Sequence, residues 1–252
     1  MLFKNEYNPQ KNEQIMRKMI LFLAAVFVIG TAGAQQINDP NVEVRKVSGY
    51  NAIRVSNAID LYLTQSDEEV VAVSADRTQY RDHIKTVVED GVLKISYSNT
   101  GDGFKMGNRK LKAYVSVKDI IKLQASGASD VVIAGSLKGE RLSIELNGAS
   151  DLKGDLEFEV LDVKLNGASD ATVTGRVVNF KIDANGASDL KGYELETDNC
   201  IAEASGASDI KITVNKELSA KASGASGVHY KGSGVIIDVK TSGASSISKR
   251  GN

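Results

Sequence analysis

The chain has 252 residues, with 31 basic against 32 acidic side chains, two Pro, no Trp and one Cys. Basic and acidic residues are interspersed, which argues against nucleic acid or an anionic membrane as main partner, because either favours a concentrated basic face. The single Cys200 excludes an intrachain disulfide, so packing has to hold the fold together.

In chain order the first feature is a leader. Arg17 and Lys18 precede an apolar run from Met19 to Ile29, and Ala32-Gly33-Ala34 supplies small residues before Gln35. A basic region, a short apolar core and an A-x-A-like site predict a signal peptide over 1–34, with export to the periplasm, the outer-membrane surface or the medium. The run is too short for a transmembrane helix, which needs about 20 residues. The mature chain is therefore expected to start at Gln35 without a membrane-spanning segment. Translation starting at Met16 or Met19 would leave a leader of ordinary length. No Cys follows the cleavage site, which disfavours a lipid-anchored lipoprotein.

Residues 35–119 read as a β-rich but irregular region. Strand-like stretches run over Asn51–Val55, Ile59–Gln65, Val70–Ser74, Thr86–Glu89, Val92–Tyr97 and Leu111–Val117. Asp90-Gly91 between two of them predicts a hairpin. Arg77–Ile84 suggests a helical turn, and the Gly- and Asn-rich Asn99–Asn108 a mobile loop. The region is expected to cap the repeats that follow or to form their first coils, since an open stack needs protected ends.

From residue 120 to 252 a repeat dominates. Gly-Ala-Ser recurs seven times, starting at Gly127, Gly148, Gly167, Gly186, Gly206, Gly224 and Gly243, at intervals of 18 to 21 residues. Asp follows the first five copies, and Gly227 and Ser246 replace it in the last two. Apolar residues precede each Gly at six, four and two positions, as in Leu142-Ile144-Leu146 and Leu161-Val163-Leu165, with polar residues between them. That period of two is a strand with one buried face. Units so short must stack to bury their apolar side. The predicted fold is all-β: a right-handed parallel β-helix-like solenoid of about seven coils of ~19 residues, at ~4.8 Å per coil. An apolar position after each motif (Val131, Leu152, Ala171) predicts a further short strand beyond the corner. In the motif, Gly is expected to take positive φ or allow close approach, Ala to point into the interior, and the Ser and Asn side chains to form rows. Inward residues shrink in the C-terminal coils, which suggests a taper.

IDLYLTQ at Ile59–Gln65, VVEDGVLKI at Val87–Ile95 and YVSVKDIIKLQASGASDVVI at Tyr114–Ile133 resemble the head GIN domain family of auto-transporter adhesins. The resemblance runs from about Val42 to the C-terminus. It implies a β-helix-like fold, a cell-envelope or surface location and an adhesive role, with a glycan or protein as ligand. It carries over no catalytic residue, and the chain shows no barrel segment for its own transport.

The sharpest candidate site is the row Asp130, Asp151, Asp170, Asp189 and Asp209, whose stacked carboxylates could take Ca²⁺. The motif lacks the denser glycine and aspartate pattern of calcium-binding β-rolls. Each Asp is read instead as capping a turn, and no metal or cofactor is assigned. His83 and His229 have no neighbouring ligand pattern, and Cys200 falls at an inward strand position. No catalytic residue is assigned. The reading is an exported, non-catalytic, adhesin-like module, open to homo-oligomerisation. A structural component of the envelope is the alternative, and a polysaccharide-acting β-helix enzyme the third reading.

Overall fold

The computed structural model describes residues 39–98 and 109–251. The predicted leader at 1–34 and the loop Asn99–Asn108 lie outside the described residues. Chain order opens with β1 (Glu43–Arg45), β2 (Ala52–Val55), β3 (Ile59–Gln65) and β4 (Val70–Ser74). A single helical turn, α1 (Thr78–Arg81), leads to β5 (Ile84–Glu89), β6 (Val92–Tyr97), β7 (Leu111–Val117) and β8 (Lys122–Gly127). Then come the long strands β9 (Val131–Gly148), β10 (Leu152–Gly167), β11 (Ala171–Gly186), β12 (Asp189–Ala204) and β13 (Asp209–Gly224). The last coils are β14 (Gly227–Lys231), β15 (Val235–Gly243) and β16 (Ser246–Lys249).

From β8 onward every pairing is parallel and in motif register, so that Gly127, Gly148, Gly167 and Gly186 stack as a column. The molecule is a β-solenoid of about seven turns. The expected strand before each motif is present, and the short strand after the corner stands alone after the last two motifs, as β14 and β16. After the first five it runs on through a bend into the next coil's arm, so β9 to β13 each span nearly a whole coil. Left-handed glycines such as Gly135 (φ +81°) and Gly175 (φ +111°) lie in that bend, where a side chain would add strain.

The N-terminal region supplies coils out of sequence order. β2 lies between β6 and β8, parallel to both, and β3 lies between β7 and β9. The chain thus builds its second coil first, turns back to make the outer one, and then steps across to the third. Antiparallel strands finish that end: β4 runs along β7, β1 along β4, and β5 along β6. Asp90 and Gly91 join β5 to β6 with φ of +51° and +75°, the two left-handed residues of a tight hairpin turn.

One contiguous core fills the interior. Leu142, Ile144, Leu146, Leu161, Val163 and Leu165 are buried, as the alternation requires. The smaller Cys200, Ala202 and Ala204 are followed in the same coil by bulky Ile210, Ile212 and Val214, all buried. Bulk lost before the motif is regained after it, so the suggested taper overlooked the second arm. Four inward assignments fail. Ile121 is 52% exposed, and in the last coil Ile237, Val239 and Thr241 are exposed, because among the described residues no further coil covers them. A register shift there also pairs Ile236, rather than Ile237, with Leu218.

The motif itself is inverted relative to expectation: Ala faces outward and Ser inward. Ala128, Ala149, Ala168, Ala187 and Ala207 are exposed, whereas Ser129, Ser150, Ser169, Ser188 and Ser208 are fully buried. Hydrogen bonding is the reason. Ser150 Oγ donates to the Asn147 carbonyl (3.1 Å) and accepts from the Ser129 N–H of the previous coil (3.3 Å). Ser169 and Ser188 repeat this with Asn166 and Asn185. A methyl group there would leave a buried N–H unanswered. The glycines do as expected: Gly167 has φ +87°, and a Cβ on it would lie 2.6 Å from the Gly148 carbonyl oxygen.

Candidate functional site: the outer face of the arms before the motif

On the strands that lead into each corner, residues one, three and five positions before Gly point out of the core. Parallel register stacks them into rows that run along the solenoid. The row three before Gly is Gln124, Glu145, Lys164, Asp183, Glu203, Lys221 and Lys240, with Arg54 of β2 beside Gln124. The row one before Gly begins Ser126, Asn147, Asn166, Asn185. From Glu145 and Asn166 onward the two rows line a shallow open groove of about 700 Å³, whose walls include Glu145, Lys164, Lys181, Asp183, Glu203 and Lys221.

Two hydrogen-bond relays converge on Glu145. From one side Arg54 donates to Gln124 Oε1 (2.8 Å), and Gln124 Nε2 donates to Glu145 Oε2 (2.7 Å). From the other, Ser205 Oγ donates to Asn185 (2.6 Å), Asn185 to Asn166 (3.3 Å) and Asn166 to Asn147 (3.1 Å). Asn147 Nδ2 then donates to Glu145 Oε1 (3.1 Å). These bonds, first from Asn147 and then from Gln124, hold the Glu145 carboxyl below the ordinary glutamate range. Further along, Lys221 pairs with Glu203 at 2.9 Å. A second groove of about 610 Å³ flanks the first. It is lined by Val160, Asn179, Ile201, Glu217 and Ile237 and is the more apolar of the two.

No aromatic ring lines the charged groove. What it offers is a regular, pre-positioned array of donors and acceptors at strand spacing, ~4.8 Å apart. That array suits a polar or charged ligand laid along several coils better than a small molecule needing enclosure.

The Asp row lies on the far side of the corner. Asp151 Oδ1 accepts from the N–H of Asp170 (3.3 Å), Asp170 from that of Asp189 (3.2 Å), and Asp189 from that of Asp209 (3.2 Å). These three carboxylates thus cap the backbone of the following coil, while Asp130 stands exposed at the start of the row and the Gly227 N–H beyond Asp209 goes to the Ser208 carbonyl instead. Among the described residues no group of three or more His, Cys, Asp or Glu side chains is placed to hold a metal ion. His83 bonds the Ser98 carbonyl and stacks on Tyr97, whereas His229 bonds Ser248 Oγ. The structure does not bring them together. Cys200 is buried, and burial pushes its thiol far above the usual range, which leaves a neutral packing residue.

Sequence reasoning missed an eighth corner. Ser56-Asn57-Ala58-Ile59-Asp60 occupies the position of Ser-Gly-Ala-Ser-Asp between β2 and β3. Asn57 takes φ +67° where the motif has Gly, which Asn tolerates better than most residues. The Ile59 N–H donates to Ser129 Oγ, as those of Ser129, Ser150, Ser169 and Ser188 do to the Ser of the following coil. The shared Ala and Asp at motif spacing were the available signal, and they would have placed Arg54 in the row beside Gln124.

Residues 49–234 match the protein family described as "Putative auto-transporter adhesin, head GIN domain". No curated protein matches the chain. Among solved structures, one titled a putative adhesin from Bacteroides fragilis superposes with a TM-score of 0.73 at 21% identity. It covers 83% of this chain and 96% of its own. One titled a putative lipid binding protein from Parabacteroides distasonis gives 0.64 at 23% identity, covering 84% and 97%. A second P. distasonis structure, titled a putative adhesin, gives 0.66 at 18%, covering 83% and 96%. Identities this low establish a shared fold.

Proposed function

Since the chain belongs to the head GIN domain family of auto-transporter adhesins, we propose that it is an exported, non-catalytic adhesin-like module. It binds a glycan or protein ligand along the outer face of the arms before the motif. The observation that carries this is the charged groove, where two relays fix Glu145 at the head of a row with Lys164, Asp183, Glu203 and Lys221 on consecutive coils. Fixed polar groups lose little freedom on binding, so a long ligand can gain from many weak contacts at once.

A buried Cys200 and two separated histidines that already bond Ser98 and Ser248 support the non-catalytic reading. The basic and acidic leader-free remainder, 27 against 30 residues, supports a ligand other than nucleic acid. No helix among the described residues is long and apolar enough to cross a membrane.

The test is an array of glycans and extracellular-matrix proteins, probed with the chain from Gln35 and with the triple variant E145Q/K164Q/D183N. Saturable binding that falls by about tenfold or more in the variant is expected, since a few lost charge-assisted contacts amount to that factor. Binding that is unchanged in a folded variant would move the site off this face. No binding to any class would move the function towards a structural role in the envelope.

A further inference from the structure

The two ends of the solenoid are finished differently. At the first end antiparallel β1, β4 and β5 lie against the outermost parallel strands, and the edges left over are short or charged. β1 has three residues including Glu43 and Arg45, and β5 carries Lys85 and Glu89. At the other end β15 pairs only with β13, and β16 only with β14. Among the described residues nothing pairs with the outer edges of β15 and β16. Val235, Ile236, Ile237 and Val239 are 44–62% exposed on this last coil, whereas the stacked residues beneath them, Leu218 and Ala220, are fully buried.

An edge strand with free backbone groups and apolar side chains is a template for another strand. The sequence of β15 indicates which one. When β15 is laid antiparallel on a second copy of itself with Val239 opposite Val239, the two Val239 side chains meet on the core-facing side, and Asp238 falls opposite Lys240 twice. A centre at Asp238 or at Lys240 would oppose like charges, so this is the register that cross-strand pairing rules favour. In one chain Lys240 leans along its own strand to Asp238 at 3.6 Å, so both charges already lie on the same face. A two-fold contact of this kind also closes on itself, leaving no apolar end to propagate a fibre.

We propose that two copies of this chain join end to end through β15, antiparallel across a two-fold axis centred on Val239. The dimer would present two charged grooves on one continuous rod. It does not depend on what those grooves bind, and its readout is mass rather than ligand.

Protein expressed from the full-length sequence is examined by sedimentation equilibrium up to about 100 μM, where a micromolar dimer is filled. The expected result is a dimer that D238K or K240D alone weakens by about tenfold or more, each reversal turning two attractive pairs into repulsive ones. The double variant D238K/K240D restores it. Circular dichroism confirms that each variant is folded. Should a reversal fail to fold, V239C gives a second reading: oxidised glutathione should link two chains at that residue, Cys200 being buried. A monomer throughout, a dimer indifferent to both reversals, or absence of the Val239 cross-link would each overturn the proposal. So would a monomer that dimerises only once residues 1–40 are removed, which would place the N-terminal segment on this end.

Discussion

Serine in the motif performs two tasks that alanine cannot. Its hydroxyl closes the corner onto the Asn carbonyl three residues earlier and accepts a backbone N–H from the neighbouring coil. The side chain that turns inward is therefore the polar one, because the buried backbone of the corner needs partners and the apolar core does not reach it. At Ile59, which stands in the place of Ser in the degenerate first corner, only the backbone half of this exchange survives. Asp60 next to it is a second residue out of keeping with its surroundings. Burial first, and then the like charge of Asp130, raise its carboxyl above the ordinary aspartate range, with Lys112 pulling the other way. A raised folded value means that stability is present at low pH and is lost as pH rises through that value. Asp60→Asn should therefore raise the melting temperature near neutral pH. The gain should vanish when the melt is repeated below about pH 4, where Asp60 is already protonated.

At the scale of the corner row, position within the stack decides what each glycine tolerates. Gly127 and Gly167 share nearly the same left-handed φ, +82° and +87°. A Cβ on Gly127 meets only the Asn57 backbone nitrogen at 3.6 Å, an ordinary contact, while on Gly167 it meets a carbonyl oxygen at 2.6 Å. Gly127→Ala is expected to lose about 1–2 kcal/mol, the conformational term alone. Gly167→Ala should lose at least about 3 kcal/mol, because backbone in the preceding coil has to move. Urea titration of the two variants checks the order, and equal losses would refute the close-approach argument. The strands between the corners were largely legible beforehand. β3, β4, β6 and β7 lie at the boundaries that alternation predicted, since period-two patterning is a local property of the chain. The bends that fuse successive arms into β9–β13 were not legible, because a bend within a continuing hydrogen-bond ladder leaves the alternation only slightly disturbed.

For the whole molecule, stacking is a nearest-neighbour matter. β10, β11 and β12 repeat one another's pairing, so each coil contacts little beyond the coils on either side. Stability in such an array is close to a sum over coils and their interfaces. Excising residues 168–186, one period, joins Gly167 to Ala187 and regenerates the motif. The shortened chain is expected to fold with a strand-rich circular dichroism spectrum and a single cooperative melt, at a midpoint lowered by several degrees. Loss of all structure would mean that the coils are coupled over longer range than the pairing implies. The ends obey different rules from the middle: the first is finished by β1, β4 and β5, and at the last the outer edges of β15 and β16 have no partner strand among the described residues.

The fold class, the rows and their spacing follow from the order of the residues alone. Repetition forces identical neighbours into identical register, and alternation assigns the buried side of each strand. That order also brings Glu145, Lys164 and Asp183 to one face, as residues three before each Gly must be. Other features depend on contacts between segments remote in sequence. The insertion of β2 between β6 and β8, which brings Arg54 to Gln124, joins residues 70 positions apart. Which member of the Ala-Ser pair turns inward depends on hydrogen bonds offered by the next coil. The exposure of Val239 depends on there being no strand beyond β15 among the described residues. Local pattern sets which face of a strand is apolar, but what covers that face is set by the neighbour that arrives.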